Sequence, residues 1–146
     1  MRLSTGAEEE TIHFGEILGR SLRAGDAVLL DGELGSGKTT LVRGMARGVG
    51  YRGRVSSPTF ALAHVYRGER LTLHHLDLYR IRESETGELG LDELLNDPRG
   101  AVVVEWPRAA RWPKRRIEVR LTHVKNGRAI AVVDMRQRDR AQARAK

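Results

Sequence analysis

Residues 32–40 constrain this chain more than any other stretch of its sequence. They fit the pattern Gly-x-x-x-x-Gly-Lys-Ser/Thr, whose glycines let the backbone turn tightly and direct successive N–H groups at an anion. Lys38 can reach the β- and γ-phosphates of a nucleotide, and the Thr39 hydroxyl can ligate Mg²⁺. A helix that follows would point its positive N-terminal end at the same phosphates. The stretch therefore predicts a phosphate-binding loop.

The sequence on either side of this loop supplies the context that the motif requires. Residues 27–30 form an apolar run of strand length, and apolar residues recur at helical spacing over 41–49. Strand, glycine-rich loop and helix is the arrangement in which this motif binds phosphate. A glycine-rich turn that binds nothing is the alternative, and the flanking pattern favours the phosphate site.

Length and composition limit the class of protein. A chain of 146 residues is typical of one domain, and such a domain buries about two thirds of its unfolded surface. The chain has no cysteine, which excludes disulfides, thiolate metal sites and a cysteine nucleophile. The first ten residues are polar and acidic, unlike a signal peptide, and no apolar run approaches the roughly 20 residues of a membrane helix. We therefore expect a cytoplasmic protein with no membrane segment.

Helix and strand signals alternate along the chain. Thr5-x-x-Glu8 resembles a capping box ahead of an amphipathic helix over 11–22, and a weak helix is predicted over 83–96. Asn126-Gly127 is a hairpin signal. Strands are predicted over 27–30, 60–66, 71–77, 101–105, 117–121 and 129–134.

This alternation predicts an α/β fold with a partly parallel central sheet. The strand over 101–105 is the most apolar and is predicted to be central. Residues 1–136 are expected to form one domain, with the phosphate loop between the first strand and its helix. Residues 137–146 are polar and charged, and we expect them to form a basic, mobile tail.

Two acidic residues at strand ends are candidates to hold Mg²⁺. Enzymes with a phosphate loop need such a residue at the end of a neighbouring strand. Glu105 follows the apolar run 101–104, and Asp77 follows 71–76. Each has the alternative of being an ordinary surface carboxylate, but the phosphate loop upstream favours a role in the site.

Residues 56–60 lie where a switch loop would lie, between the loop helix and the next strand. A hydroxyl there can sense the γ-phosphate or place a water, whereas the alternative is a simple turn at Ser-Pro. His74 and His75 are adjacent on a predicted strand and point to opposite faces, so they do not make a metal pair. One of them is expected to be a packed core histidine.

Positive charge is concentrated in the last third of the chain. The formal net charge is +7; residues 105–146 carry 13 Lys/Arg against 4 Asp/Glu, a balance of +9. This asymmetry indicates a surface for an anionic partner, either nucleic acid or an acidic protein patch. A solvated arginine-rich surface is the alternative, since arginine outnumbers lysine 22 to 4 in the whole chain.

Four motifs together resemble the TsaE (YjeE) family in order and spacing, over roughly residues 10–134. They are Gly32-x-Leu34-Gly35-x-Gly37-Lys38-Thr39-Thr40, Ser57-Pro58-Thr59-Phe60, His75-Leu76-Asp77-Leu78-Tyr79-Arg80 and Glu105-Trp106-Pro107. The resemblance implies an ATPase that is needed to form threonylcarbamoyladenosine in tRNA. It implies ATP/ADP and Mg²⁺ as cofactors and TsaB and TsaD homologues as partners. The positive charge of the C-terminal region leads us to expect that this region contacts tRNA or a partner protein.

The resemblance also implies roles for individual residues. Lys38, Asp77 and Glu105 would be catalytic, and Thr39, Glu105 and Asp77 would hold or support the metal. Thr11 and Arg128 would approach the nucleotide base, and Thr59 would belong to the switch. The phosphates would be bound by Glu33, Leu34, Gly35, Ser36, Gly37, Lys38, Thr39 and Thr40. The glycine-rich run 85–90 and the strength of the basic end depart from the family pattern.

Three other classes of protein fit the sequence less well. A small-molecule kinase needs a second pocket and a mobile lid, and about 30 spare residues for them are absent from the sequence. A regulatory GTPase needs an Asn-Lys-x-Asp run, which the sequence lacks. An RNA-binding module needs an aromatic stacking platform, but only seven aromatic residues occur and few of them lie near the tail.

Overall fold

A computed structural model describes residues 1–33, 35–55, 63–79, 90–107 and 112–136 of the chain. The helices within these residues are α1 Glu8–Ser21, α2 Lys38–Gly48 and α3 Leu91–Leu95. The strands are β1 Arg2–Thr5, β2 Ala27–Gly32, β3 Ala63–Arg67, β4 Thr72–Asp77, β5 Gly100–Glu105, β6 Arg116–Val124 and β7 Gly127–Asp134. None of the helices described here is both long and apolar enough to span a bilayer.

The strands form one mixed sheet in the order β1-β7-β6-β2-β5-β4-β3. The central strands β6, β2, β5 and β4 are parallel, whereas β1, β7 and β3 pair with their neighbours in the antiparallel sense. Every residue of β5 is buried, as expected for a strand in the interior of a parallel sheet. The predicted α/β fold, its partly parallel sheet and the interior place of this strand are confirmed.

Apolar side chains cover both faces of the sheet centre. On one face α1 and α2 pack over β2, β5 and β6, with Leu41, Val42 and Met45 fully buried. On the other face a smaller cluster joins Leu29, Leu76, Leu78, Val102 and Val104 to residues of α3 and to Trp112. β2 leads directly into the predicted phosphate loop, and α2 leads directly out of it. Because apolar packing holds both β2 and α2, both ends of the loop are fixed.

The N-terminal segment differs from its prediction. Residues 2–5 form an edge strand that pairs with β7, and α1 begins at Glu8 after Ala7. The predicted capping box is wrong, because Thr5 belongs to this strand and its hydroxyl lies 2.8 Å from that of Thr11. The Glu10 carboxylate instead accepts a hydrogen bond from the Gly6 N–H, at 3.1 Å.

Other boundaries shift by a few residues. The two-residue turn between β6 and β7 is Lys125-Asn126, one residue earlier than predicted, and Asn126 takes the positive φ of 68°. Of the helix predicted over 83–96, the described part is α3, which begins only after Gly90. Residues 81–89, 60–62 and the predicted tail 137–146 lie outside the described part of the chain.

The backbones of α1 and α2 touch where glycines of the two helices face each other. A Cβ placed on Gly15 would overlap the carbonyl oxygen of Leu41, and one on Gly44 would overlap that of Ile12. The same holds one helical turn further along, for Gly19 and Gly48. Only hydrogen at Cα allows this separation, so the position of α2 over the sheet depends on these glycines.

We expect Gly44→Ala to lower the free energy of unfolding by at least about 2 kcal/mol, because the added methyl group meets rigid backbone. The higher helix propensity of alanine opposes this loss by only about 1 kcal/mol. Urea unfolding followed by circular dichroism measures the difference. Gly6→Ala is the matched control, since a Cβ there has its nearest neighbour 3.8 Å away. Equal stability of the two variants would contradict the close helix contact.

Candidate functional site

The predicted phosphate loop connects β2 to α2 in the structure. Gly35 and Gly37 adopt positive φ angles of 75° and 103°, which side chains other than glycine rarely tolerate. Gly37 immediately precedes α2, so the first N–H groups of that helix have no intrahelical partner and are available to an anion. Leu34 lies outside the described residues. The local backbone therefore suits a polyphosphate.

Ser36 gives independent support for an anion in the loop. Its side chain is fully buried, and within the described part of the chain its hydroxyl has no hydrogen-bond partner. A buried hydroxyl without a partner is costly, typically by about 1–3 kcal/mol. A phosphate oxygen bound in the loop would accept the hydrogen bond that this hydroxyl lacks.

Lys38 is the first residue of α2 and is buried at the base of the loop. Its Nζ donates a hydrogen bond to the Gly32 carbonyl at 2.6 Å and lies 3.5 Å from the centroid of the Trp106 ring. Burial lowers the pKa of the Lys38 ammonium below its ordinary value. Three carboxylates act in the opposite direction, those of Glu105, Asp77 and Asp31. The lysine therefore has a carbonyl and an aromatic ring as its partners, and it lies among carboxylates that favour its charged form.

The two predicted acidic residues are adjacent at the ends of β4 and β5. Asp77 and Glu105 are register partners in this parallel pair, so their side chains leave the same face of the sheet. The Glu105 side chain is buried, whereas Asp77 is half-buried. The Leu78 N–H donates to the Glu105 carbonyl at 3.0 Å, which continues the pairing just past the strand end. The structure therefore brings together Lys38 and both acids.

The donors near the loop fit Mg²⁺ by their chemistry. Thr39 offers a half-buried hydroxyl at the start of α2, and Glu105 and Asp77 offer carboxylate oxygens. Mg²⁺ prefers oxygen ligands and takes few of them from the protein when substrate phosphates and water complete its shell. These three residues are the ones that would hold the ion or its water ligands.

A cavity of about 280 Å³ lies beside the loop, between α1 and the β6–β7 hairpin. Gly37 and Thr40 line it on the loop side, Thr11 on the α1 side, and Arg128 on the β7 side. The Arg128 Nη2 donates to the Gly35 carbonyl at 3.3 Å, so this guanidinium lies directly on the phosphate loop. The two residues expected near a nucleotide base thus line one cavity with the loop.

Two features of the site were absent from the sequence-based prediction. The Lys38 ammonium lies over the face of the Trp106 ring. The fully buried His75 contacts Glu105, with 2.7 Å between Nε2 and Oε2. His75 is two residues from Asp77 on one strand, so their shared face was a signal in the sequence. Nothing in the sequence indicated that the partner of His75 would be Glu105, 30 residues further along the chain. Thr59 and the rest of the predicted switch, residues 56–60, lie outside the described residues.

Comparison with known proteins agrees with the four-motif resemblance. The family model for "Threonylcarbamoyl adenosine biosynthesis protein TsaE" matches residues 5–130. The TsaE protein of Nostoc sp. is 40% identical over 124 residues, which cover 82% of this chain and 76% of that protein. The TsaE protein of Streptomyces coelicolor is 49% identical over 96 residues, which cover 63% of this chain and 64% of that protein.

A solved structure shows the same architecture. The crystal structure of Bacillus subtilis YdiB superposes with a TM-score of 0.81 and 27% sequence identity, covering 99% of this chain and 92% of that one. The family model covers residues 5–130 and the structural match covers 99% of the chain, and the sequence relatives agree with both over 63–82% of it. This chain belongs to the TsaE family of threonylcarbamoyl adenosine biosynthesis proteins.

Proposed function

We propose that this chain is a Mg²⁺-dependent ATP hydrolase that serves the formation of threonylcarbamoyladenosine in tRNA. The observation that carries the proposal is the convergence of Lys38, Asp77 and Glu105 beside a glycine loop at the start of α2. Positive charge and free N–H groups on one side, with carboxylates on the other, suit transfer of a phosphoryl group to water.

The chemistry proposed is in-line attack of water on the γ-phosphate. The water oxygen bonds to the γ-phosphorus while the bond to the bridging oxygen of ADP breaks, giving ADP and inorganic phosphate. Lys38 and the loop N–H groups stabilise the negative charge on the phosphate oxygens. Bound Mg²⁺ would neutralise further phosphate charge. Asp77, at the rim of the site, positions the attacking water or a water ligand of the metal.

The base and ribose are assigned to the cavity beside the loop. Its volume of about 280 Å³ and its position beside the loop, between Thr11 and Arg128, support this assignment. The guanidinium of Arg128 can exchange its contact with the Gly35 carbonyl for one with the ligand. ATP and ADP are accordingly the proposed ligands.

TsaB and TsaD homologues are the proposed partners, and hydrolysis is expected to be slow without them. The proposed role of ATP hydrolysis is to sustain turnover of this complex. The family and the charge balance of +9 over residues 105–146 support a further contact with tRNA. The cytoplasm is the proposed compartment, because the tRNA that is modified is found there.

We expect wild-type chain with Mg²⁺ to hydrolyse ATP slowly, and addition of TsaB and TsaD from the same source to raise the rate. Lys38→Ala removes the charge that faces the phosphates and is expected to abolish hydrolysis with or without partners. Steady-state release of inorganic phosphate is the measurement. A wild-type chain that is inactive alone and unaffected by partners would refute the ATPase role, and small phosphate acceptors would then be tested.

We expect Glu105→Gln and Asp77→Asn to lower kcat by at least about 100-fold, because each removes a carboxylate that would hold Mg²⁺ or position the attacking water. Affinity for ATP should change by less than about threefold. Asp31→Asn is the control: Asp31 is also a carboxylate near Lys38, but its side chain is 47% exposed and pairs with Arg120 at 3.1 Å. Loss of ATP affinity with turnover intact would contradict the assigned roles of both acids.

We expect Arg128→Ala to weaken ADP binding about tenfold, as loss of one charge-assisted contact does. Isothermal titration calorimetry gives the dissociation constant. Arg120→Ala removes the same charge from the neighbouring strand, where the side chain is 70% exposed and faces Asp31, and it should change binding less than about twofold. Equal effects of the two variants would mean that Arg128 acts only through long-range charge.

A further inference from the structure

A line of buried polar groups runs away from Glu105 into the sheet. His75 is fully buried, and its Nε2 lies 2.7 Å from Oε2 of Glu105. On the other side of the ring, Nδ1 lies 3.2 Å from the Tyr66 hydroxyl, which in turn lies 3.3 Å from Nδ1 of the half-buried His64. A buried polar group destabilises the fold unless it is hydrogen-bonded, and each member of this line has a hydrogen-bond partner.

The sheet places His75 where it can serve the site. His75 pairs with Val103 in the register of β4 and β5, one pleat before the pair formed by Asp77 and Glu105. All four side chains therefore leave the same face, toward α2 and the phosphate loop. The neighbouring His74 points to the opposite face, where it contacts Asp97 at 2.9 Å. Strand geometry alone thus separates the two histidines into different environments.

All hydrogen bonds of His75 can be formed with a single assignment of donors and acceptors. An ionised carboxylate only accepts, so Glu105 requires a donor at Nε2 of the imidazole. With the imidazole neutral, Nδ1 is then an acceptor, and the Tyr66 hydroxyl donates to it. A lone pair of the same hydroxyl oxygen then accepts a hydrogen bond from the Nδ1–H tautomer of His64. This arrangement fixes the tautomer of His75 and the orientation of its ring.

We propose that His75 is the positioning residue of the site: it holds Oε2 of Glu105 and leaves the other carboxylate oxygen for the metal shell. The inference rests on the proposed function, in which Glu105 serves Mg²⁺. A glutamate held at one oxygen loses little further freedom when the other oxygen binds an ion. Residues that orient a metal ligand in this way typically change metal affinity or activity 10- to 100-fold when removed.

Two conservative substitutions separate positioning from packing. In His75→Gln the side-chain amide lies near the place of Nε2 and can still donate to Glu105. In His75→Asn the shorter amide lies near the place of Nδ1, so it can contact Tyr66 but does not reach Glu105. Both replace the ring by a smaller polar side chain. A purely structural role of His75 predicts similar behaviour of the two variants.

The readout is the Mg²⁺ concentration that gives half-maximal ATP hydrolysis, together with the affinity for methylanthraniloyl-ADP with Mg²⁺ and with EDTA. We expect His75→Asn to raise the half-saturating Mg²⁺ concentration at least tenfold, and to reduce the effect of Mg²⁺ on ADP affinity, while affinity in EDTA changes less than twofold. His75→Gln should stay within about threefold of wild type. His74→Asn, on the opposite face, should match wild type.

Glu105→Gln distinguishes failure of this inference from failure of the proposed function. If Glu105→Gln shifts the Mg²⁺ dependence and His75→Asn does not, the positioning role is overturned and the proposed function stands. If Glu105→Gln shifts nothing, both are overturned. Should circular dichroism show that His75→Asn is unfolded, Tyr66→Phe replaces it, with an expected shift of at least threefold. An unchanged Mg²⁺ dependence in that variant overturns the inference.

Discussion

The backbones of α1 and α2 are in direct contact, and the geometry of the site depends on that contact. Glycines on both helices remove the side chains that would hold them apart. α2 carries the phosphate loop at its start, and α1 carries Thr11, so the distance between the helices sets the width of the cavity beside the loop. Because interiors packed this closely transmit small displacements, a shift of one helix against the other would also change the geometry of this cavity.

The register of the parallel strands positions the acidic side of the site, as the helix contact positions the predicted phosphate loop. Asp77 and Glu105 are 28 positions apart in the sequence, yet they are register partners. They share a face because paired residues of adjacent strands do, and the two-residue period of β4 puts His75 on that face as well. The carboxylates are therefore positioned by rigid strands, while the nucleotide phosphates are assigned to a loop whose shape is set by glycine conformation.

Much of this arrangement was predictable because its determinants are local. Glycines at fixed spacing predicted the phosphate loop, and acids at strand ends indicated Asp77 and Glu105, which the structure places near Lys38. The short edge strand β1 was missed, because four residues give almost no periodic signal and its pairing with β7 is distant in sequence. The same reason hid the Glu105 partner of His75: tertiary pairing decides it, and one sequence carries no record of which distant residues meet.

The contacts of Lys38 have a bearing on which anions the loop admits. Its ammonium already holds the Gly32 carbonyl and the face of Trp106, so a ligand gains only the difference between these partners and its own oxygens. A singly charged anion would exchange a charge-assisted hydrogen bond and a cation–π contact for contacts of similar strength, and would gain little. Adjacent phosphates bring several charges to the same atom and outweigh the contacts they displace. In the proposed function the loop would therefore select its ligands first by charge density and only then by shape.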